Sequence, residues 1–220
     1  MSLKNLIILN TARNSLFHQL RFMTCWSCGK NLKLVSNLFC LNCNTLQKPD
    51  AHYNYFKIMG VNETYDQNET ELAKKYRELQ KYLHPDKYAN KNKDEQEVSE
   101  IYSSLVNEAY KTLLEPLARG IYMLKLRGQE MPENSEIGDQ AFLMDIMEKN
   151  EEVENAETDE EIVRLNKENK AIINELQKSI SRAFFDGDLN TVTKLLIRMK
   201  YYTSIDNQIQ SIIRRKGIIR

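Results

Sequence analysis

Residues 69–86 read ETELAKKYRELQKYLHPD, and the last three of them, His84-Pro85-Asp86, interrupt a helical pattern. The apolar side chains before this point recur at the spacing of one helix face, which predicts a helix over residues 69–83. Pro85 lacks a backbone donor and disfavours helical geometry at His84, so the helix must end there. His84 and Asp86 are therefore expected on a stiff turn. The apolar stripe consists of Leu72, Ala73, Tyr76, Leu79 and Leu83.

A second helix is predicted after the turn, beyond a polar stretch at residues 90–95. Its apolar stripe is predicted from Ile101, Leu105, Ala109 and Leu113, which recur at helical spacing. The two helices should pack as an antiparallel pair joined by the His-Pro-Asp turn. The first helix also carries a basic face, formed by Lys74, Lys75 and Lys81 with Arg77 at its flank.

A short lead-in precedes this pair: Tyr55-Phe56, three residues, then Gly60-Val61. With the Lys-Lys-Tyr-Arg helix and the His-Pro-Asp loop, it resembles the J-domain of DnaJ-like co-chaperones, which stimulates the ATPase of an Hsp70. The alternative is a turn that only ends a helix and leaves His84 solvated. That alternative explains Pro85 but not the residues around it.

Charge is balanced over the whole chain, with 31 basic and 31 acidic residues, and therefore does not indicate a nucleic-acid partner. Residues 1–49, however, contain no Asp or Glu. The start of the chain is basic and loosely amphipathic, which is typical of a mitochondrial transit peptide. We expect that peptide to span residues 1–23, with Thr24 near the start of the mature protein. The alternative is a leader segment that carries no targeting signal. No run of 18 apolar residues occurs, so no membrane partner is expected.

The four cysteines form two Cys-x-x-Cys pairs, Cys25/Cys28 and Cys40/Cys43. Two such knuckles place four thiolates around one tetrahedral metal, and the pattern favours a single structural zinc ion. Gly29 suits the positive φ that such turns use. Because protein would fill all four positions, a catalytic water is not expected.

Other uses of the four cysteines remain open. An iron–sulfur cluster takes the same ligands. Two disulfides would suit a secreted chain, but nothing else in this sequence indicates secretion. A redox dithiol needs a Cys-x-x-Cys that opens a helix after a strand, and the sequence here lacks that context. A zinc ribbon can also bind nucleic acid, but no basic and aromatic stripe accompanies this one.

The C-terminal part of the chain is predicted to be helical. The second J-domain helix should break at Pro116, resume, and end at Gly128, followed by a linker over residues 128–138. Three helices then form a bundle over residues 139–217. Thr158 and Glu161 form a capping box for the middle one. The fold class is thus all-α: a knuckle at 24–48, a J-domain at 52–127 and the bundle.

The first bundle helix has two apolar faces. Phe142, Ile146 and Val153 share one face, which predicts a core stripe. Leu143, Met144 and Met147 lie on the other side, on a face that acidic residues continue. Since one helix of a small bundle rarely buries two opposite faces, the surplus face predicts a partner surface. The alternative is that both faces pack inside the bundle.

Three stretches carry most of a wider resemblance: residues 105–128, the FLMDIME at 142–148 and the RMKYY at 198–202. With the cysteine knuckle and the J-domain, they are similar to the HscB family in its animal mitochondrial form. A generic J-protein would have a Gly/Phe-rich linker or zinc-finger repeats, and this chain has neither.

The resemblance implies a matrix co-chaperone that delivers the iron–sulfur scaffold protein to a mitochondrial Hsp70, triggers ATP hydrolysis and promotes cluster transfer to acceptor proteins. A homodimer and a cytosolic pool are left open. The Hsp70-binding residues would be His84, Pro85, Asp86, Lys74, Lys75, Arg77 and Lys81. The scaffold-binding residues would be Leu143, Met144, Met147, Glu148, Glu151, Lys200 and Tyr201.

One departure from the family is Lys87, where family members usually carry an aromatic residue after His-Pro-Asp. General J-proteins carry Lys there, which puts in doubt a pairing with a narrowly specialised Hsp70 and fits a general mitochondrial Hsp70, so which Hsp70 serves is open. The alternative function is a general J-protein that presents unfolded clients to Hsp70. An enzyme with His84 as general base would need a second catalytic group, for which we find no candidate. No catalytic residue is therefore expected.

Overall fold

The structure is a computed structural model that describes residues 24–32, 38–50, 52–132 and 140–218. These residues form seven α-helices and no strand, so the predicted all-α class is confirmed. The predicted transit peptide lies outside the described residues, as does most of the predicted linker. No helix in the described part is both long and apolar enough to cross a membrane. The helices are α1 (Tyr55–Met59), α2 (Glu69–Leu83), α3 (Lys93–Leu114), α4 (Pro116–Leu126), α5 (Gln140–Glu154), α6 (Asp159–Asp186) and α7 (Leu189–Lys216).

The chain divides into two compact units. The first joins the N-terminal segment, up to Tyr53, to residues Tyr82–Ser104, which hold the end of α2, the His-Pro-Asp turn and the first half of α3. Its buried side chains include Leu83, Val98 and Tyr102. The cysteine knuckle and the His-Pro-Asp turn therefore belong to the same unit.

The second unit contains Asn54–Lys81 and Leu105–Arg220. Helix α1 starts at the N-cap Asn54 and ends at Gly60, whose φ of 65° is left-handed. The Tyr122 hydroxyl accepts a hydrogen bond of 2.9 Å from the backbone N–H of Tyr55, and the two rings stack with centroids 4.3 Å apart. Helices α2 and α3 pair through a similar stack of Tyr76 on Tyr110.

Pro116 separates α3 from α4, as predicted. It occupies the first turn of α4, where its missing N–H leaves no helical acceptor unpaired. The guanidinium of Arg119, which is buried, donates a hydrogen bond of 2.6 Å to the carbonyl of Leu113 near the end of α3. It also lies 5.1 Å from the ring centroid of Tyr65. The break is thus held by a side chain one turn into α4.

The bundle of α5, α6 and α7 has one continuous core. The predicted stripe of Phe142, Ile146 and Val153 is buried, which confirms the core face of α5. The predicted capping box is also confirmed, since Thr158 and Glu161 each accept a hydrogen bond from the other's backbone N–H. The remaining buried members of the core are Ile162, Leu165, Tyr202, Ile205 and Ile209.

The predicted apolar stripe of α3 is wrong at one position. Ile101 is half exposed, at 50%, whereas Val98, Tyr102 and Val106 are buried. Apolar residues of α3 form two neighbouring stripes, one through Ile101 and one through Val98 and Tyr102. Periodicity alone does not decide which of the two faces the core. The buried face therefore lies about one residue, or 100°, away from the predicted one at this end of α3.

Candidate metal centre and partner surfaces

The two Cys-x-x-Cys pairs each close a tight turn. The carbonyl of Cys25 accepts a hydrogen bond from the N–H of Gly29, and Cys40 accepts one from Asn44 in the same way. Gly29 has the expected positive φ, 73°. Antiparallel bridges join Thr24 to Asn31 and Phe39 to Leu46 behind these turns. The two turns therefore present their cysteines on matching short loops.

The four sulfurs lie together. All four ligand atoms are within 4.8 Å of one another, and no disulfide joins them. Cys25 Sγ is 3.6 Å from Cys43 Sγ, and Cys28 Sγ is 3.8 Å from Cys40 Sγ. A tetrahedral metal with metal–sulfur bonds of about 2.3 Å requires sulfur–sulfur distances of about 3.8 Å. The four cysteines could therefore hold one metal ion.

Polar groups around the sulfurs also suit bound thiolates. The buried amide of Gln47 donates to Cys25 Sγ at 3.4 Å, and its N–H₂ group also reaches the Thr45 carbonyl at 2.7 Å. The Thr45 hydroxyl, 3.3 Å from Cys43 Sγ, and the Thr45 backbone N–H lower the pKa of that thiol to about 6. Donors aimed at ligand sulfurs stabilise the deprotonated form that a metal needs.

A second support comes from Asn42 at the tip of the second knuckle. Its backbone N–H donates to Cys40 Sγ at 3.4 Å and its side-chain amide to Cys28 Sγ at 3.7 Å. The ammonium of Lys30 donates a hydrogen bond of 2.7 Å to the side-chain oxygen Oδ1 of Asn42. Sequence reasoning missed Gln47 and Asn42. Their types are common on loops, and only the fold places them beside the sulfurs.

The His-Pro-Asp turn is exposed and held in one shape. Residues Pro85–Tyr88 form a 3₁₀ turn with His84 as its N-cap. His84 Nδ1 accepts from the Asp86 N–H at 3.3 Å and lies 3.4 Å from Asp86 Oδ2. The side chains of His84 and Asp86 are 54% and 87% exposed. The turn therefore presents both side chains outward on a backbone that Pro85 restricts.

The flanks of this turn are fastened by buried hydroxyls. Ser99 on α3 donates a hydrogen bond of 2.8 Å to the Leu83 carbonyl, and the Tyr88 hydroxyl donates one of 3.0 Å to the Tyr82 carbonyl. Burial raises the pKa of Tyr88, so its hydroxyl stays protonated and able to donate to a higher pH than an exposed tyrosine does. These two bonds close the last turn of α2 over the His-Pro-Asp segment.

The predicted basic residues of α2 belong to the second unit. Lys74, Arg77 and Lys81 are exposed and Lys75 is half buried. Three of them, at positions 74, 77 and 81, recur at helical spacing and share one face. Within the described residues, no ion pair neutralises any of the four.

The second apolar face of α5 is exposed. Met144 and Met147 are 62% and 64% exposed, Glu148 and Glu151 are exposed, and Leu143 is half buried. These residues lie on the side of α5 opposite its core stripe. An exposed apolar strip bordered by acids on an otherwise well-packed bundle has the character of a protein-binding surface.

Helix α7 contacts α5 at Phe142, on the core stripe. The ring of Tyr201 meets Phe142 edge-on, with centroids 5.7 Å apart at 87°, and the guanidinium of Arg198 lies 4.9 Å from the Phe142 centroid. Tyr201 therefore packs against the first turn of α5. Lys200 is exposed, and in the described part of the chain neither hydrogen bond nor ion pair connects it to α5. Sequence reasoning missed Arg198, since its role depends on where α7 crosses Phe142.

Two family models match the chain. Residues 54–122 match the DnaJ domain and residues 138–210 match the family model described as HSCB C-terminal oligomerisation domain. The iron-sulfur cluster co-chaperone proteins HscB of mouse and human are each 36% identical over 189 residues. That alignment covers 84% of this chain and 81% and 80% of theirs.

Solved structures agree. The crystal structure of human co-chaperone protein HscB is 36% identical, with a TM-score of 0.81, covering 89% of this chain and 99% of that one. The chaperone HscB from Vibrio cholerae shares the fold, with a TM-score of 0.68 at 24% identity over 74% of this chain and 99% of that one.

Fold and matches together define a J-domain protein of the co-chaperone class. Within that class, the chain belongs to the HscB family. The resemblance drawn from the three sequence stretches is thereby confirmed.

Proposed function

We propose that this protein is a co-chaperone of iron–sulfur cluster biogenesis that binds the cluster scaffold protein on its bundle and delivers it to an Hsp70, whose ATPase it stimulates. Membership of the HscB family supports the pathway. The proposal rests on two features that this chain combines. One is an exposed His-Pro-Asp turn that hydrogen bonds hold in one conformation, and the other is an exposed apolar face on α5. The domain boundaries at 24–48, 52–127 and 139–217 remain predictions.

The Hsp70 side of the proposal rests on His84, Pro85 and Asp86. Asp86 is exposed and can accept two hydrogen bonds from a partner arginine, while the turn fixes its direction. The basic residues Lys74, Lys75, Arg77 and Lys81 would attract an acidic ATPase surface. Such steering is screened by salt, so the association rate should fall as ionic strength rises.

The scaffold side rests on the α5 face and Tyr201. Methionine side chains adapt to a partner surface, and Glu148 and Glu151 provide a charged border. Tyr201, which packs against the first turn of α5, offers an aromatic anchor. Lys200, exposed on the same helix as Tyr201, would pair with an acidic group of the scaffold. The interface would thus combine an apolar centre with charges at its rim.

For the metal we propose one structural zinc ion, held by Cys25, Cys28, Cys40 and Cys43. Zinc favours four tetrahedral thiolates and, once bound, supplies folding energy to a segment this small. An iron–sulfur cluster would need the same ligands, and metal analysis with absorption spectroscopy of the purified protein separates the two. The proposed location is the mitochondrial matrix, on the composition of residues 1–23.

The function is tested by steady-state ATP hydrolysis of a mitochondrial Hsp70 with this protein, with and without the scaffold. Synergy between protein and scaffold is expected, because the protein would hold both partners at once. Stimulation that does not depend on the scaffold would instead indicate a general J-protein.

A further inference from the structure

An aromatic pair connects the cysteine knuckle to the helix end that leads into the His-Pro-Asp turn: Phe39 contacts Tyr82, two residues before His84. We propose that the knuckle supports the turn through the contact of Phe39 with Tyr82, so that metal binding by the four cysteines sets how firmly the turn is held for its Hsp70 partner. The Hsp70 part of this inference rests on the proposed function. The structural part does not.

Phe39 lies in the short hairpin that carries the second cysteine pair. Phe39 directly precedes Cys40 and pairs with Leu46 through one antiparallel bridge. The N–H of Gln47 donates a hydrogen bond of 2.7 Å to the Leu38 carbonyl next to it. A hairpin this short is not stable alone, and a metal that ties Cys40 and Cys43 to the other knuckle would hold it together. The position of Phe39 therefore depends on the metal.

Phe39 contacts the ring of Tyr82, near the end of α2. The two rings meet edge-on, with centroids 6.2 Å apart and an interplanar angle of 76°. Edge-to-face geometry is one of the arrangements that aromatic pairs favour. Tyr82 is 54% exposed with Phe39 beside it, at the end of α2 where helices fray. The contact with Phe39 therefore covers part of a side chain that is otherwise open to solvent.

Tyr82 is connected to the His-Pro-Asp turn by a hydrogen bond. Its carbonyl accepts the hydrogen bond from the Tyr88 hydroxyl, so residues 82–88 form a closed segment with His84 and Asp86 at its middle. If the last turn of α2 frays at Tyr82, the acceptor for Tyr88 moves and the segment opens. A turn that is open part of the time binds its partner more weakly, because the apparent affinity is the intrinsic affinity multiplied by the closed fraction.

Hydrogen exchange on the full-length protein tests the structural part, in the peptide covering residues 84–88. Exchange there should be about two- to tenfold faster after zinc is removed by a chelator, since an aromatic pair shifts an equilibrium by about that factor. Tyr82→Ala should show the same acceleration while zinc remains bound, and Tyr82→Phe, which keeps the ring, should not.

Leu41→Ser is the matched control on the knuckle, because Leu41 is 83% exposed between two cysteines. It should leave exchange at residues 84–88 unchanged. Equal exchange in wild type, zinc-free protein and Tyr82→Ala would overturn the inference.

Hsp70 stimulation tests the functional part. The concentration of this protein that gives half-maximal stimulation should rise about two- to tenfold in Tyr82→Ala, with zinc still bound. If wild type stimulates and Tyr82→Ala is indistinguishable from it, the inference fails while the proposed function stands. If wild type does not stimulate at all, the proposed function fails, and the exchange experiment alone then supports or overturns the coupling.

Discussion

The hydroxyl of Tyr202 on α7 donates a hydrogen bond of 3.0 Å to Asp145 Oδ2 on α5. Tyr202 is buried, and this bond joins α5 to the core of the bundle at the level of the exposed methionines. Burial, followed by the Asp145 carboxylate, raises the pKa of Tyr202 to about 12. The bond therefore holds the helix that carries the proposed scaffold surface.

Tyr202→Phe should lower the free energy of unfolding by about 1 kcal/mol, because it removes the hydrogen bond between α7 and the Asp145 carboxylate. Denaturant unfolding followed by circular dichroism measures the change. Tyr201→Phe, on the neighbouring residue, keeps the ring against Phe142 and should change stability far less. Equal effects of the two substitutions would contradict the assignment.

The same bond predicts a pH dependence. A tyrosine whose pKa is higher in the folded state than the usual value near 10 stabilises the fold below pH 10 and loses that contribution as pH rises toward 12. The stability difference between wild type and Tyr202→Phe should therefore shrink between about pH 10 and 12. Other buried tyrosines titrate in both proteins alike, so the difference isolates Tyr202. A constant difference would show that Tyr202 is not the group involved.

Gly120 on α4 lies close against Leu196 of α7. A Cβ atom there would lie 2.5 Å from Cδ2 of Leu196 and 3.2 Å from the Tyr65 ring. Gly120→Ala gains up to about 1 kcal/mol of helix propensity, but the clash with a fully buried leucine costs about 1–3 kcal/mol, so net destabilisation is expected. The Gly120→Ala, Leu196→Val double variant should be more stable than the sum of the two single changes predicts. A simple gain in stability from Gly120→Ala would mean that Leu196 moves freely.

Gln47→Leu should weaken zinc binding about 10- to 100-fold, since it removes the amide that donates to Cys25 Sγ while preserving side-chain size. Competition with a chromophoric chelator gives the affinity. Lys48→Leu at the exposed next position is the control and should bind zinc like wild type. Unchanged affinity in Gln47→Leu would remove Gln47 from the support of the site.

The triple variant Leu143→Ala, Met144→Ala, Tyr201→Ala should lose scaffold binding while its own stimulation of Hsp70 stays intact, because these residues lie in the second unit and outside the His-Pro-Asp turn. Calorimetry or a pull-down with purified scaffold measures binding. Phe185→Ala removes an aromatic side chain that is 92% exposed on α6 and should bind normally. Normal scaffold binding by the triple variant would show that the surface is elsewhere.

Local sequence signals predicted the helices well. Pro85, Pro116 and the Thr158/Glu161 box each act on the backbone within a few residues, and the structure has a helix boundary at each. The core face of α5 followed from periodicity because its two apolar lines lie on opposite sides. On α3 the lines are adjacent, and the same reasoning misplaced Ile101.

Contacts between distant residues were not predictable in this way. Gln47 beside Cys25, Arg198 over Phe142 and Phe39 against Tyr82 each join segments far apart in sequence. No local pattern pairs these residues with one another, because helical periodicity gives a direction on one helix but does not identify the residue that it faces. The four cysteines were an exception among the distant contacts, because the spacing of two Cys-x-x-Cys pairs predicts that their sulfurs lie together.

The central claim is that the His-Pro-Asp turn drives an Hsp70 partner. Single-turnover hydrolysis of ATP bound to a mitochondrial Hsp70 tests it most directly, with wild type compared against Asp86→Ala. We predict that wild type accelerates hydrolysis, more strongly with the scaffold present, and that Asp86→Ala abolishes the acceleration while leaving the fold and scaffold binding intact. Equal acceleration by the two proteins, or none by wild type, would contradict the account.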